Sequence, residues 1–224
     1  MRNTLPADAT EKRALSSKLI LDEALELVKS EGIDFSMRDL ASRLGVWPMA
    51  IYRYYSNRDA LISAIIDTVL ASALNQELLD ELLDDSLDWQ VRVETYCLNL
   101  YDILILYPGV ARNILHGALD TPNGLRLIES TAAIFMKFGF SQEKAAIAFQ
   151  SLGFFVTEMA MLHFARQAGQ SDAEGLLAKA QASRDKTPAA YEYLKIMTAI
   201  DLKDRLKASL GLLIRGIEVD FVDT

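Results

Sequence analysis

Residues 36–62, SMRDLASRLGVWPMAIYRYYSNRDALI, constrain this chain more than any other stretch. Met37, Leu40, Ala41 and Leu44 recur at i, i+3, i+4 and i+7, which places four apolar side chains on one helical face. Ser36 and Asp39 form an S-x-x-D capping box in front of that face, the pattern that satisfies backbone N–H groups a first turn leaves unpaired. Gly45 follows, and glycine enters the left-handed conformation that ends a helix without a Cβ penalty. Pro48 suits the first position of a new helix, where no N–H is needed. Ile51 and Tyr55, four apart, can face back onto the first helix. Ser56 and Asp59 read as a second capping box, opening a third helix. Two short helices about a glycine turn make a helix-turn-helix, whose second helix fits a DNA major groove.

The charge of the chain opposes that reading until it is mapped. The net charge is −8, unfavourable for a nucleic-acid binder. Residues 1–65, however, carry nine Lys/Arg and nine Asp/Glu, so the whole excess lies in residues 66–224. A neutral head with clustered cations can dock on DNA while an acidic body is repelled from it and helps orient the head.

The remaining pattern is helical throughout. Residues 1–9 are expected to be disordered, and a helix over about 10–30 turns Ile20, Ala24, Leu27 and Val28 inward. Lys12, Arg13 and Lys18 lie in its first half. After the motif a long helix is expected from Asn57 to the low eighties, belonging to both head and body, with no Gly/Ser/Pro linker to uncouple them. Residues 89–107 form a helix stopped by Pro108-Gly109, and 110–117 a short one. Thr121-Pro122 opens a helix to about Phe138, Ser141 caps another to about Gln167, and Thr187-Pro188 starts a third. Residues 169–186 read as a weak helix in a mobile loop. The last helix spans about 203–221. The helices over 144–166 and 203–221 carry apolar residues beyond a single stripe, the signature of a partner helix, here a second copy of the chain. The alternative is that one of them is simply central in the core.

Two histidines and one cysteine leave little for catalysis or metal binding, and no G-x-S-x-G, Walker loop, G-x-G-x-x-G or H-E-x-x-H occurs. An enzyme is not expected, nor a cofactor or metal. Cys97 alone cannot make an intrachain disulfide, which fits a reducing cytoplasm. The N-terminus has no apolar h-region, so no signal peptide is expected. The most apolar stretch, 145–162, is interrupted by Gln150 and Glu158 and is expected to be too polar to span a bilayer.

The stretch over about residues 15–65 resembles the DNA-binding domain of the TetR family of bacterial repressors. The resemblance is carried by Ile20, Ala24, Leu27, Gly32, Ser36, Leu40-Ala41, Leu44-Gly45-Val46, Tyr52, Tyr54-Tyr55 and Arg58. Trp47 departs from the polar cap usual before the recognition helix, and Met49-Ala50 from a commonly small or polar pair. The implied fold class is all-α, with a three-helix DNA-binding head over 10–62 and a helical ligand-binding and dimerisation body over 63–224. The body also resembles the tetracycline-repressor type, in which two helices from each subunit form a four-helix dimer interface. The implied function is ligand-responsive transcriptional regulation, most simply repression by a cytoplasmic homodimer on a palindromic operator. The rival reading is a helical protein that carries a small molecule or partner and never touches DNA. Salt-dependent binding to a specific duplex separates the two.

The candidate sites follow. The exposed face of the recognition helix offers Pro48, Met49, Ala50, Arg53 and Tyr54 to bases, because Arg pairs bidentately with guanine and apolar groups meet thymine methyls. Arg38 matches a family position that also reaches bases. Ser36, Lys18, Tyr52 and Arg58 read as phosphate contacts, which position without specifying. Trp47 either packs on a sugar-phosphate edge or covers the motif's own core. For a small molecule the body offers Tyr96, Tyr101, His116, Phe135, Phe149 and Met159, with Met136, Phe154 and His163 beside them, although such residues at helical spacing more often fill a core. His116 lies near where the tetracycline-repressor type places a histidine that ligates a ligand-bound metal, but the local register does not align.

Overall fold

The computed structural model describes residues 14–74, 86–117, 119–169 and 173–222, with side chains to residue 219. Every regular element among them is helical. The head holds α1 (Ser17–Glu31), α2 (Met37–Leu44) and α3 (Pro48–Ile51), and α4 (Arg58–Ala73) leads out of it. The body holds α5 (Trp89–Leu104), α6 (Val110–Leu115), α7 (Pro122–Lys137), α8 (Gln142–Gln167), α9 (Ala173–Ala182), α10 (Pro188–Ala199) and α11 (Leu202–Val222).

Local sequence sets most helix ends. The Ser36–Asp39 capping box forms in both directions. Gly45 ends α2 at φ 65°, ψ 32°, its amide donating to the carbonyls of Ala41 and Ser42. Thr121 and Ser141 cap α7 and α8 through their hydroxyls. Three expectations shift. The first helix starts at Ser17, capped by Ser16, because residues 14–16 are not helical; Lys12, Arg13 and residues 1–9 lie outside the described residues. The cap of α4 is Asn57, whose Oδ1 accepts from the Ala60 amide, one position later than the expected Ser56–Asp59 box. Helix α4 is described to Ala73, and its expected continuation lies outside the described residues. Residues 173–182 form a regular helix, α9, which packs on α10 as a hairpin rather than lying in a loop.

One apolar core runs from head to body. Ile20, Leu27, Leu40 and Ile51 close the head, and Leu61, Ile65, Ile66 and Leu70 continue it along α4. Helix α4 packs on α1 in the head and on α5 and α7 in the body. Helix α8 packs on α5, α6, α7 and α11, so it is central, yet it still exposes Ile147 and Phe154. Helix α11 lies against α5 and α8 and exposes Leu212 and Val219. Its register on α5 is fixed by Lys203 Nζ on Asp102 at 2.6 Å and by Gln90 Nε2 donating to Glu218 at 2.7 Å. By composition α8 is apolar enough to cross a membrane, with a mean hydropathy of 1.5, which corrects the expectation that it is too polar. Gln150 and Glu158 interrupt it without lowering that mean far enough. The same composition serves a core helix, and α8 packs on four neighbours.

Candidate nucleic-acid interface and ligand cavity

The head's cations divide into spent and unspent. Arg43 bonds Glu23 at 2.6 Å and lies 3.6 Å from Glu31. Lys29 bonds Glu26 at 2.7 Å. Arg58, expected at a phosphate, turns inward: its guanidinium donates to the carbonyls of Phe35 at 3.1 Å and Ile33 at 2.7 Å. Those carbonyls belong to the loop between α1 and α2, which has no ladder of its own to satisfy them. By contrast Lys18, Arg38 and Arg53 are exposed and engage no carboxylate among the described residues.

Around the short α3 the exposed side chains are apolar and aromatic. Trp47 is 84% exposed and Met49 73%, with Tyr52, Arg53 and Tyr54 exposed beside them and Pro48 and Ala50 half-buried. Trp47 precedes α3 with no side-chain cap, and its exposure rules out a lid over the motif's core. The tyrosines after α3 tie it to α1. Tyr54 donates its hydroxyl to the Leu15 carbonyl at 2.7 Å and Tyr55 to the Ser17 carbonyl at 3.1 Å. The Tyr54 hydroxyl, expected at DNA, is thus committed within the head, although the residue is 43% exposed. Ser36 is similarly committed, since its hydroxyl donates to Asp39 at 2.6 Å and accepts from the Asp39 amide.

The body holds a cavity of about 940 Å³ walled by α5, α6, α7 and α8. Val93, Tyr96, Cys97 and Leu100 of α5 face it, with Leu127, Thr131 and Ala132 of α7 and Ala145, Phe149, Leu152 and Gly153 of α8. Ile114 and Leu115 of α6 and Leu70 of α4 complete the wall. Two of the six expected ligand residues, Tyr96 and Phe149, reach it, as do Met136 and Phe154. Four do not. Phe135 is fully buried between Trp89 and Phe140, and Met159 lies in the core. Tyr101 is buried with its hydroxyl 3.4 Å from His163 Nδ1. His116 is exposed where α6 ends, and it does not line the cavity. His163 is held between Tyr101 and Gln167, whose Nε2 lies 2.9 Å from His163 Nε2.

Among the described residues the polar side chains of the wall are Glu129, Gln142 and Gln150, all exposed, and the buried Thr131, Thr157 and Tyr96. Thr131 and Thr157 donate their hydroxyls to carbonyls of their own helices, leaving lone pairs only. The Tyr96 hydroxyl is buried and has no hydrogen-bond partner among the described residues. Burial, and the neighbouring Cys97, hold its pKa well above the ordinary value, so it stays a donor. Burial also pushes the Cys97 thiol up to about 12, with Glu94 adding to the shift. A thiol so far from ionising is a small apolar group and no nucleophile.

Two joints connect this cavity to the head. Asp67 of α4 accepts from the Asn123 amide at 2.7 Å and from Asn123 Nδ2 at 2.8 Å, a carboxylate seated at the N-terminus of α7 where the helix dipole favours it. At the start of α6 the Pro108 carbonyl accepts from the Ile33 amide at 3.1 Å. Gly109 adopts φ +89°, and an added Cβ would stand 2.5 Å from Ile33 Cγ2, so only glycine permits this approach. Neither joint, nor the small residues of the cavity wall, stood out in the sequence. The only local signal was Pro108-Gly109, read as a helix stop.

Comparison with known proteins agrees with this arrangement. Residues 20–65 match the family described as "Bacterial regulatory proteins, tetR family", and residues 83–221 the one described as "Tetracyclin repressor-like, C-terminal domain". The uncharacterised HTH-type transcriptional regulator YvaF of Bacillus subtilis is 44% identical over 48 residues, 21% of this chain and 25% of that protein, so the match spans only a quarter of the relative. Apo ActR of Streptomyces coelicolor superposes with a TM-score of 0.78 at 26% identity, over 92% of this chain and 96% of that one. ActR in complex with actinorhodin gives 0.77 at 24% identity, over 95% and 100%. A TetR variant of Acinetobacter baumannii in complex with minocycline gives 0.74 at 22% identity, over 94% and 96%. With both its head and its body matched, this chain belongs to the TetR family of bacterial transcriptional regulators.

Proposed function

We propose that the protein is a cytoplasmic repressor that binds a palindromic operator as a homodimer and leaves it when a small molecule fills the body cavity. The observation that carries this reading is the cavity itself, about 940 Å³ and walled in part by α4, the helix that continues into the head. Specific ligand sites run from about 300 to 1,000 Å³, so the space is of the right order for one effector. Exposed apolar residues on α8 and α11, among them Phe154, Leu212 and Val219, supply a face for the second subunit. Among the described residues, Arg53 and Arg38 are the unspent cations for base contact, and Lys18 is one for phosphate.

Control follows from geometry. A dimer must hold its two recognition helices about one duplex turn apart, roughly 34–36 Å. A ligand that displaces α7 would act on α4 through Asp67, and one that displaces α6 would act on the head through Pro108. The effect requires tighter ligand binding to the conformation that does not hold DNA. A differential of roughly 1–3 kcal/mol would lower operator affinity about 5–150-fold, and operator would weaken ligand binding by the same factor.

The test is selection of duplexes from a random pool, followed by binding measurements. The selected sites should be two-fold symmetric, and affinity should fall steeply with salt. Arg53→Ala should cost about 1–3 kcal/mol on the selected site and relax one base position. Unchanged specific binding by Arg53→Ala would refute the assigned recognition face, and failure to enrich any duplex would refute the repressor.

A further inference from the structure

We infer that Met49 reads the C5-methyl group of a pyrimidine in the major groove, so that each operator half-site has one position defined by a methyl and not by a hydrogen bond. This rests on reading the protein as an operator-binding repressor.

Exposure comes first. Among the described residues of the head, the large apolar side chains left exposed are Trp47, Met49, Tyr52 and Tyr54, all at or beside α3. Trp47 at 84% and Met49 at 73% are the most exposed of them. Apolar residues scattered singly over a surface are ordinary, but a cluster marks a contact to be made. The fold does not need Met49 where it stands, because Ile51 is the residue of α3 that closes the core. The exposed cations Lys18, Arg38 and Arg53 belong to the same head and suit a phosphate backbone, so the cluster and the cations call for one occupant, duplex DNA.

The chemistry of α3 then narrows what it can read. Pro48, Met49, Ala50 and Ile51 carry no side-chain N–H or O–H, and the thioether of Met49 accepts only weakly. Hydrogen-bonded readout falls to Tyr52 and Arg53, beyond the end of the helix. The base edges of the major groove offer donors, acceptors and one apolar group, the thymine methyl. That methyl is the group an apolar side chain can bury without leaving a polar atom unpaired. Met49 is unbranched and polarisable, so it adapts to the groove. It has nothing with which to tell thymine O4 from the cytosine amino group, so 5-methylcytosine presents it with the same target.

The experiment uses the full chain and the duplex it enriches from a random pool, rebuilt with deoxyuridine in place of each thymidine in turn. At one position deoxyuridine should weaken binding about fourfold in one half-site and about fifteenfold in both, the worth of one buried methyl per half-site. At the same position 5-methylcytosine should bind about fourfold tighter than cytosine. Met49→Ala and Met49→Gln should each erase both methyl effects, and Met49→Leu should keep them. Arg53→Ala should weaken binding and leave the methyl effects in place. A selected half-site without thymine, or one indifferent to deoxyuridine throughout, overturns the role of Met49 and leaves DNA binding standing. A methyl effect that survives both Met49→Ala and Met49→Gln belongs to another side chain or to the stiffness of the duplex, and also overturns it. Enrichment of no duplex removes the operator-binding reading and this inference with it.

Discussion

The same three helices build a filled end and a hollow end of the body. At the filled end Trp89 of α5 meets Phe135 of α7 and Phe140 before α8, with ring centroids 5.0 to 6.0 Å apart. Arg92 lies over the Phe138 ring at 5.2 Å and donates to the Leu87 carbonyl, which closes that end. Farther along, α7 presents Ala132 and α8 presents Ala145 and Gly153, and the space between them stays open. The contrast is one of side-chain volume rather than polarity, for apolar side chains dominate both ends. Filled space supplies stability, since deleting a buried ring forfeits transfer energy and leaves a void. Open space supplies none, and its wall is where a binding event can move a helix.

Three measurements can break or sharpen this contrast. Phe135→Ala should cost about 3–5 kcal/mol of unfolding free energy, read from urea midpoints, whereas Leu127→Ala at the hollow end should cost nearer about 2, because the space it enlarges is already open. Equal costs would dissolve the distinction. Asp67→Ala should cost about 1.5–3 kcal/mol, the range for a hydrogen bond to a charged group, by leaving the start of α7 unpaired. It should also reduce the effect of ligand on operator affinity, and a variant that loses stability but keeps full coupling would move the joint to Pro108. The smallest effect concerns Cys97. With its pKa pushed to about 12, the folded thiol should resist iodoacetamide at pH 8. A group whose folded pKa is raised keeps its contribution below the unfolded value near 9 and loses it as pH climbs towards 12. Stability should therefore decline across that interval, and Cys97→Ala should flatten the decline. Rapid alkylation at pH 8 would mean that water enters the hollow end freely.

How far the sequence foretold these features depended on their range. Short-range chemistry was legible: Ser36 with Asp39, Gly45, Pro48, Thr121 and Ser141 act on backbone groups within four residues, and each forms as the pattern implies. Where two short polar residues adjoin, as at Ser56 and Asn57, the pattern does not choose between them, and Asn57 caps. Periodicity identified the buried faces of the body helices, but a face does not reveal whether the space opposite is occupied. Phe135, Tyr101 and Met159 were therefore grouped with Tyr96 and Phe149, although only the last two border the cavity. Large side chains drew attention, yet the cavity is made by small ones. Arg58 was read outward as a cation, and its use on the Phe35 and Ile33 carbonyls depends on a loop 23 to 25 residues away.

That loop contains one residue with two allegiances. The Ile33 amide is held by the Pro108 carbonyl of the body, and the Ile33 carbonyl by Arg58 at the start of α4. Its amide proton can exchange with solvent only when the body contact opens. Deuterium uptake at this single site therefore records how often head and body part company, so one backbone proton serves as a clock for the motion that a ligand would have to bias.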